Sequence, residues 1–221
     1  MEIVVVGAGG HGREVVEILH DAAAAGSDQH PIGYLDDDPA KQGTVLDDLP
    51  VLGGLDWLKE DQRFETKVIC AIGQPELCEE LAQRVRSTGH RFARAISPRA
   101  VVSPRATLGE GVIVFPNVVV NTGATIGDCV TLNVGATVSH DSTVGDYSNI
   151  NPGVHLAGNV KVGHKAYIGM GANIIHDLSV GEHSIIGAGA VVIRDVPPDM
   201  RATGVPARSF PKSEPPLVPH S

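Results

Sequence analysis

His140 is followed directly by Asp141, and His176 by Asp177. A histidine with a carboxylate beside it is a small unit that can take a proton from a nucleophile near neutral pH. The imidazole titrates there, and the carboxylate fixes its tautomer and raises its basicity. The chemistry such a pair offers is deprotonation of an amine or hydroxyl during group transfer. Ser139 and Ser142 flank His140, but neighbours on a turn usually point apart, so no activated nucleophile stands beside the base. A second signal lies at the start of the chain. Gly7-Ala8-Gly9-Gly10-His11-Gly12 fits G-x-G-x-x-G and follows the apolar run Ile3–Val6. A helix opening there would aim free N–H groups at a phosphate or ribose, although the same loop also serves as a plain tight turn. Asp36 falls after the second expected strand, where a ribose or base contact belongs.

The elements that must position these groups are legible from periodicity. From Ile96 to Val192 every sixth residue is Ile, Leu or Val, without a miss. Four places after each stands a Ser or a small or medium aliphatic residue, from Ala100 to Val196. A period of six fits neither a helix nor an alternating strand. It fits a chain that turns a corner every six residues, three sides to a coil of 18. The expected fold is a left-handed parallel β-helix of hexapeptide repeats spanning 96–197.

Before it, residues 1–95 alternate strand and helix patterns. Ile3–Val6, Ile32–Leu35 and Val68–Ile72 read as strands, with helices after Gly12 and after Gln74-Pro75. This predicts a small α/β parallel sheet, half-Rossmann-like, with ligand loops at the strand C-termini. Fewer than 100 residues leave room for a mononucleotide or nucleotide sugar rather than a dinucleotide. Residues 198–221 read as a C-terminal extension, opened by Pro197-Pro198, with disorder expected in the Pro-rich tail from Lys212.

Residues 18 apart stack in one column of a prism, about 4.8 Å per step. From His140 the column runs through Gly158 and His176 to Arg194, all at the third position of their hexapeptides. A lone histidine on such a corner is ordinarily a solvated polar residue. His140 stands out because it lies midway along the prism, and His176 is its rival as base.

Bulk properties narrow the class. A net charge of −9 argues against generic nucleic-acid binding. Any phosphorylated ligand must be held by backbone N–H groups and a few local arginines. No apolar run is long enough to cross a membrane, and the N-terminus lacks the basic region of a signal peptide. Cys70, Cys78 and Cys129 are widely spaced and form no CxxC pair, as in a reduced cytoplasmic protein.

Several motifs together resemble a family. They are Gly7–Gly12, Leu35-Asp36-Asp37, Ala71-Ile72-Gly73, Leu132-Asn133, Ser139-His140-Asp141-Ser142, Leu156-Ala157-Gly158-Asn159-Val160 and Gly204-Val205-Pro206-Ala207-Arg208. In combination the chain, up to about Phe210, resembles bacterial nucleotide-sugar acetyltransferases of the sialic-acid and bacillosamine type, within the hexapeptide-repeat acyltransferases. The resemblance implies an acetyl-CoA-dependent homotrimer with its active site between neighbouring β-helices. It implies His140 as general base, Asp141 as its orienter, Asn133 near the site, and His11 and Asp36 near the nucleotide. Some members carry a second active-site histidine where this chain has Asn149.

The expected site is therefore in three parts. His140 and Asp141 are catalytic. Gly9, Gly10, His11, Asp36, Asp37, Gly73, Asn133 and Asn149 face the substrate. Gly158, His176, Arg194 and Arg208 face acetyl-CoA, with Gly158 admitting the pantetheine arm and Arg194, about 14 Å along the edge from His140, meeting its phosphates. No metal is expected. The expected reaction is N-acetylation of a nucleotide-linked 4-amino-4,6-dideoxy sugar for glycan or surface-polysaccharide synthesis. The alternatives are O-acetylation of a sialic acid or related hydroxyl, and a non-catalytic nucleotide-sugar-binding scaffold. A zinc-dependent γ-type carbonic anhydrase would show an H-x4-H pair, and no two histidines here are five apart.

Overall fold

The computed structural model describes residues 1–61 and 65–213. Of the tail expected to be disordered from Lys212, residues 214–221 lie outside the described residues, while Lys212 is placed, its Nζ donating to His183 O at 2.6 Å. The N-terminal part contains β1 (Glu2–Val6), α1 (Gly10–Ala24), β2 (His30–Leu35), β3 (Val45–Leu46), β4 (Leu49–Gly53), α2 (Trp57–Glu60), β5 (Lys67–Cys70), α3 (Pro75–Ser87) and β6 (Arg91–Phe92). They build one sheet in the order β3-β4-β2-β1-β5-β6. All its pairs are parallel except the β3–β4 hairpin. Val4, Val5, Val68 and Ile69 are fully buried, which is why β1 and β5 read as unbroken apolar runs rather than alternating ones. The hairpin and α2 left no periodic signal, because they are too short to show one.

From Ala95–Ile96 to Val191–Val192 the chain makes seventeen two-residue strands, each separated from the next by a four-residue corner. They stack into three sheets whose partners are 18 residues apart, as in Val114↔Leu132 and Val138↔Leu156. The result is a triangular prism. Its first face carries Ile113, Thr131, Asn149, Tyr167 and Ile185 outward. The second face begins at Val101–Val102 and the third at Thr107–Leu108. The sixth-residue aliphatics point inward: Ile126, Leu132, Ile150, Leu156 and Ile168 are essentially inaccessible. Burying one such side chain contributes about 1.5–3 kcal/mol, so a coil of three supports itself only when stacked.

Most corners form with the fourth residue of the hexapeptide in the left-handed region. Gly123, Gly135, Gly153 and Gly171 do so, and so do Asp141, Asn159 and Asp177. Asn and Asp tolerate this conformation better than other side chains. Buried serines close three of the corners whose left-handed residue is not glycine, those of Ser142, Ser148 and Ser184. Ser142 Oγ donates to Ala157 O at 2.9 Å and accepts from Val160 N–H at 3.0 Å. Beyond the prism, Met200–Thr203 pairs in parallel with the last strand of the first face and in antiparallel with Arg208–Pro211. The segment after Pro197-Pro198 thus caps the prism with a hairpin.

The N-terminal sheet and its helices sit against the first face and the two corners beside it. Asp21 bonds Arg99 at 2.6 Å, His11 stacks on Phe115, and Asn149 Nδ2 donates to Gly73 O at 2.8 Å. On the other corner Arg86 bonds Tyr147 and Asp128, while Glu79 pairs with Lys165 at 2.6 Å and lies 3.4 Å from His164. Lys165 holds the Glu79 carboxyl below its ordinary value against the opposing pull of burial, and His164 adds to the effect. The contribution of this pair is complete above the ordinary carboxylate range, near 4.3. It is lost as pH falls through the lowered value. Glu79→Gln is expected to cost about 1–3 kcal/mol at pH 7, leaving Lys165 half-paired. Thermal melts at pH 7 and pH 3 check this: the deficit of the variant should shrink at the lower pH.

Candidate active site

His140 and Asp141 stand on the corner between the second and third faces. Neighbouring side chains on a turn diverge in most corners. Here Asp141 is left-handed, with φ +60°, and the two side chains meet, His140 Nδ1 lying 2.9 Å from Asp141 Oδ2. The contact commits Nδ1, so Nε2 is the nitrogen left to exchange a proton. Both side chains are well exposed, open to a partner or substrate.

The imidazole is seated by glycine. A Cβ at Gly158 would lie 2.5 Å from His140 Nε2 and 2.6 Å from Cε1. The ring therefore lies across the next coil, in space that any side chain would occupy. On the other side a Cβ at Gly123 would overlap Asp141 Oδ1. The imidazole and its carboxylate partner lie between two glycines of adjacent coils. Gly158 was expected to admit a pantetheine arm, and the structure puts the catalytic imidazole candidate there. Among the described residues the Gly158 N–H has no acceptor, so it is free to meet a developing oxyanion beside Nε2.

The rival pair differs. Asp177 is also left-handed, φ +62°, but its Oδ1 accepts from Asn159 Nδ2 at 2.7 Å. No contact joins His176 to Asp177 among the described residues. His176 therefore lacks the orienting partner that His140 has.

Further along this edge, Arg194 and Arg208 share a cavity of ≈430 Å3 with Asp195, Ala207 and Ser209. The capping hairpin brings Arg208 there, a meeting the sequence hinted at only through its closing motif. Ile175 and Ile193 are 38% and 41% exposed beside His176 and Arg194. They form an apolar margin that sequence reading passed over, since they occupy a variable corner position.

The glycine loop joins the end of β1 to the start of α1, the strand–turn–helix arrangement its spacing predicts. Gly9 caps α1 without a side-chain bond, so the first-turn N–H groups remain open. Gly12 has no room for a Cβ against Gly7 O. Asp36 holds the loop: its Oδ2 accepts from Ala8 N–H at 2.9 Å and from Lys41 Nζ at 2.8 Å. Burial opposes its ionisation, but Lys41 and the N–H groups of Asp38 and Ala8 outweigh it and keep the carboxyl below its ordinary value. Asp37 accepts from Leu55 N–H and from Arg84, both at 2.8 Å.

A pocket of ≈350 Å3 opens at the C-terminal ends of β1, β2 and β5, lined by Gly7, Asp36 and Asp37 together with Leu55, Ile72, Leu77, Glu80, Leu81 and Arg84. The α3 residues were missed by sequence reading. Their spacing at 77, 80, 81 and 84 is a helical stripe, which looks the same whether it faces a core or a ligand.

Gly9 and Gly73 lie on the adjoining loops, and Gly10 opens α1. His11 stacks on Phe115 at 5.4 Å, and burial, its largest influence, lowers its pKa despite Glu14. Asn133 accepts from Val134 N–H through its own Oδ1. Asn149 is 6% exposed and bonded to Gly73 O, so it fixes the β5–α3 loop to the prism.

Thiol nucleophiles are ruled out by environment. Burial pushes the Cys78 thiol up to about 12, and raises Cys70 and Cys129 as well.

The comparisons bear on this arrangement. Residues 2–85 match the PglD N-terminal domain, and residues 159–194 match the bacterial transferase hexapeptide model of six repeats. A comparison with curated proteins found no match. Among solved structures, GDP-perosamine N-acetyltransferase from Caulobacter crescentus, a histidine-to-alanine variant with CoA and GDP-perosamine, is 35% identical, with a TM-score of 0.88 over 95% of this chain and 97% of that one. The chain belongs to the bacterial nucleotide-sugar acetyltransferases of hexapeptide-repeat type. The acetyltransferase domain of PglB from Neisseria gonorrhoeae with acetyl coenzyme A is 32% identical over 95% and 98% of the two chains, TM-score 0.86. WeeI from Acinetobacter baumannii is 30% identical over 95% and 100%, TM-score 0.85. In this family the prism is the left-handed β-helix that the period of six predicts.

Proposed function

We propose that this acetyltransferase moves acetyl from acetyl-CoA to the amino group of a nucleotide-linked 4-amino-4,6-dideoxy sugar, for glycan or surface-polysaccharide synthesis. The observation that carries the reading is the end-to-end similarity to an N-acetyltransferase with CoA and GDP-perosamine bound. The His140–Asp141 pair seated on Gly158 supports it.

Chemically, the sugar ammonium first gives up one proton to solvent. The neutral amine nitrogen attacks the thioester carbonyl carbon while His140 Nε2 takes one of its two N–H protons, the other staying on the amide. The tetrahedral oxyanion is met by the Gly158 N–H. Collapse breaks the C–S bond, and the proton on Nε2 passes to the departing CoA sulfur. Asp141 holds the ring tautomer throughout.

A homotrimer supports this chemistry better than a monomer. In one chain the nucleotide pocket belongs to the sheet that packs on the first face, while His140 stands on the opposite corner. Packing three parallel prisms brings the His140 edge of one chain beside the first face of the next. Exposed Val101, Val134 and Met170 supply apolar area for such contacts. A cytoplasmic location fits the unpaired buried thiols and the substrates.

Incubation with acetyl-CoA and UDP-, GDP- or dTDP-linked amino sugars, followed by hydroxylamine, tests the acceptor. The reading expects a hydroxylamine-resistant acetamide on one of them. A labile ester on a hydroxyl sugar, with no acetamide, would make it an O-acetyltransferase.

On the CoA side, Arg194→Ala and Arg208→Ala are each expected to raise the acetyl-CoA KM about tenfold, from the loss of one charge-assisted hydrogen bond. The nucleotide-sugar KM should stay within about twofold. An unchanged acetyl-CoA KM in both variants contradicts the assignment.

A further inference from the structure

The pocket at the C-terminal ends of β1, β2 and β5 has one wall for which the proposed reaction gives no reason. α3 supplies Leu77, Glu80, Leu81 and Arg84 to it, together with Gly7, Asp36 and Asp37 from the strand ends. Glu80 and Arg84 are four apart with the acid first, the spacing at which a helix ordinarily joins such a pair. Here they do not join. Arg84 Nη1 donates instead to Asp37 Oδ2 at 2.8 Å. Glu80 is left without a cation among the described residues.

The other two carboxylates of the pocket are already engaged. Asp36 accepts from the N–H groups of Ala8 and Asp38 and from Lys41. Asp37 accepts from Leu55 N–H and from Arg84. What remains for a ligand is the Glu80 carboxylate and the Nε and Nη2 hydrogens of Arg84, which have no acceptor among the described residues. Leu55, Ile72, Leu77 and Leu81 line the same space, and Leu77 is 38% exposed. Apolar side chains for the faces of a planar ring and polar groups for its edge are what an aromatic heterocycle needs. A volume of ≈350 Å3 admits a purine.

The polar groups on α3 discriminate among bases. Guanine presents adjacent N1–H and N2–H donors, followed by the O6 acceptor. A carboxylate takes the two donors together, and an arginine donates to O6. Glu80 and Arg84 stand one helical turn apart, about 5.4 Å, on the scale of that edge. Uracil and thymine offer a single N3–H between two carbonyls, so a facing carboxylate meets oxygen lone pairs on both sides. Adenine turns its N1 lone pair toward the carboxylate and its amino group toward the guanidinium, mismatched at both.

We infer that this pocket selects guanine: Glu80 accepts from N1–H and N2–H, and Arg84, held by Asp37, donates to O6. The inference rests on the nucleotide-sugar reading above and names the base within it. Glu80 is then the residue that sets nucleotide specificity, and Asp37 positions Arg84 rather than touching the base.

Calorimetry on the full chain with GDP, inosine diphosphate, UDP and dTDP tests this. Wild type is expected to bind GDP at least about tenfold tighter than UDP or dTDP. Inosine diphosphate lacks the 2-amino group and should bind about tenfold more weakly than GDP, since half of the carboxylate is then unmatched. Glu80→Ala should bring GDP and inosine diphosphate within about twofold of each other and leave UDP within about twofold of wild type. Glu80 is exposed, so its truncation should not move the melting temperature. Arg84→Met should weaken GDP and inosine diphosphate alike, because both carry O6, and keep their ratio.

UDP or dTDP bound as tightly as GDP overturns the proposal. So does a GDP preference over inosine diphosphate that survives Glu80→Ala. Binding is read without turnover, which separates this proposal from the reaction it rests on. A chain that prefers GDP yet acetylates no GDP-linked amino sugar keeps the base and loses the reaction. One that acetylates a UDP- or dTDP-linked amino sugar in preference keeps the reaction and loses the base.

Discussion

His140→Ala is expected to lower kcat by about 10²–10⁴-fold, the range for loss of a positioned general base, with both KM values within about threefold. The side chain bonds Asp141, lies over Gly158 and is mostly exposed, so truncation removes a proton acceptor and little packing. Asp141→Asn should fall between the two enzymes. It keeps a hydrogen-bonding neighbour but loses the charge that sustains the imidazolium formed during transfer. A His140→Ala enzyme that kept its kcat would place the base elsewhere.

Gly158→Ala should be nearly as damaging although it removes no functional group. Its backbone is not in the left-handed region, so alanine is conformationally acceptable there. The new methyl would stand 2.5 Å from Nε2, well inside van der Waals contact, and the ring must rotate or lift. A displacement of about 1 Å at a reacting atom costs about 10²-fold in rate. The expected signature is a kcat loss of that size, with melting temperature and nucleotide affinity close to wild type. Gly123→Ala would be a poorer probe, since its φ of +72° adds backbone strain to the clash with Asp141. Full activity in Gly158→Ala would mean that the working imidazole lies off the glycine.

The prism was legible because its period repeats over many coils and any one coil is dispensable to the pattern. The column of His140, Gly158, His176 and Arg194 followed from arithmetic alone. What arithmetic could not supply was the direction of side chains. Two His-Asp pairs look the same in sequence, and only the three-dimensional arrangement shows Asp141 turned to its histidine and Asp177 turned to Asn159. Gly158 was legible as a place without a side chain, yet what fills that place depends on a rotamer of a residue 18 positions earlier.

In the N-terminal sheet, the glycine loop and Asp36 were visible as a strand–turn–helix signature. Arg84 was not, because its partner Asp37 is 47 residues away and the stripe it belongs to is that of any packed helix. Asn149 belongs to the same class. Its work is to hold a loop of another element, and no local pattern marks a residue for that.

The most direct test is CoA thiol release from acetyl-CoA in the presence of GDP-, UDP- and dTDP-linked 4-amino-4,6-dideoxy sugars, run with wild type, His140→Ala and His176→Ala. Wild type should release thiol with one of these amino sugars, His176→Ala should keep kcat within about threefold, and His140→Ala should lose it. Release that collapses in His176→Ala and survives in His140→Ala, or no release with any amino sugar, would contradict the account.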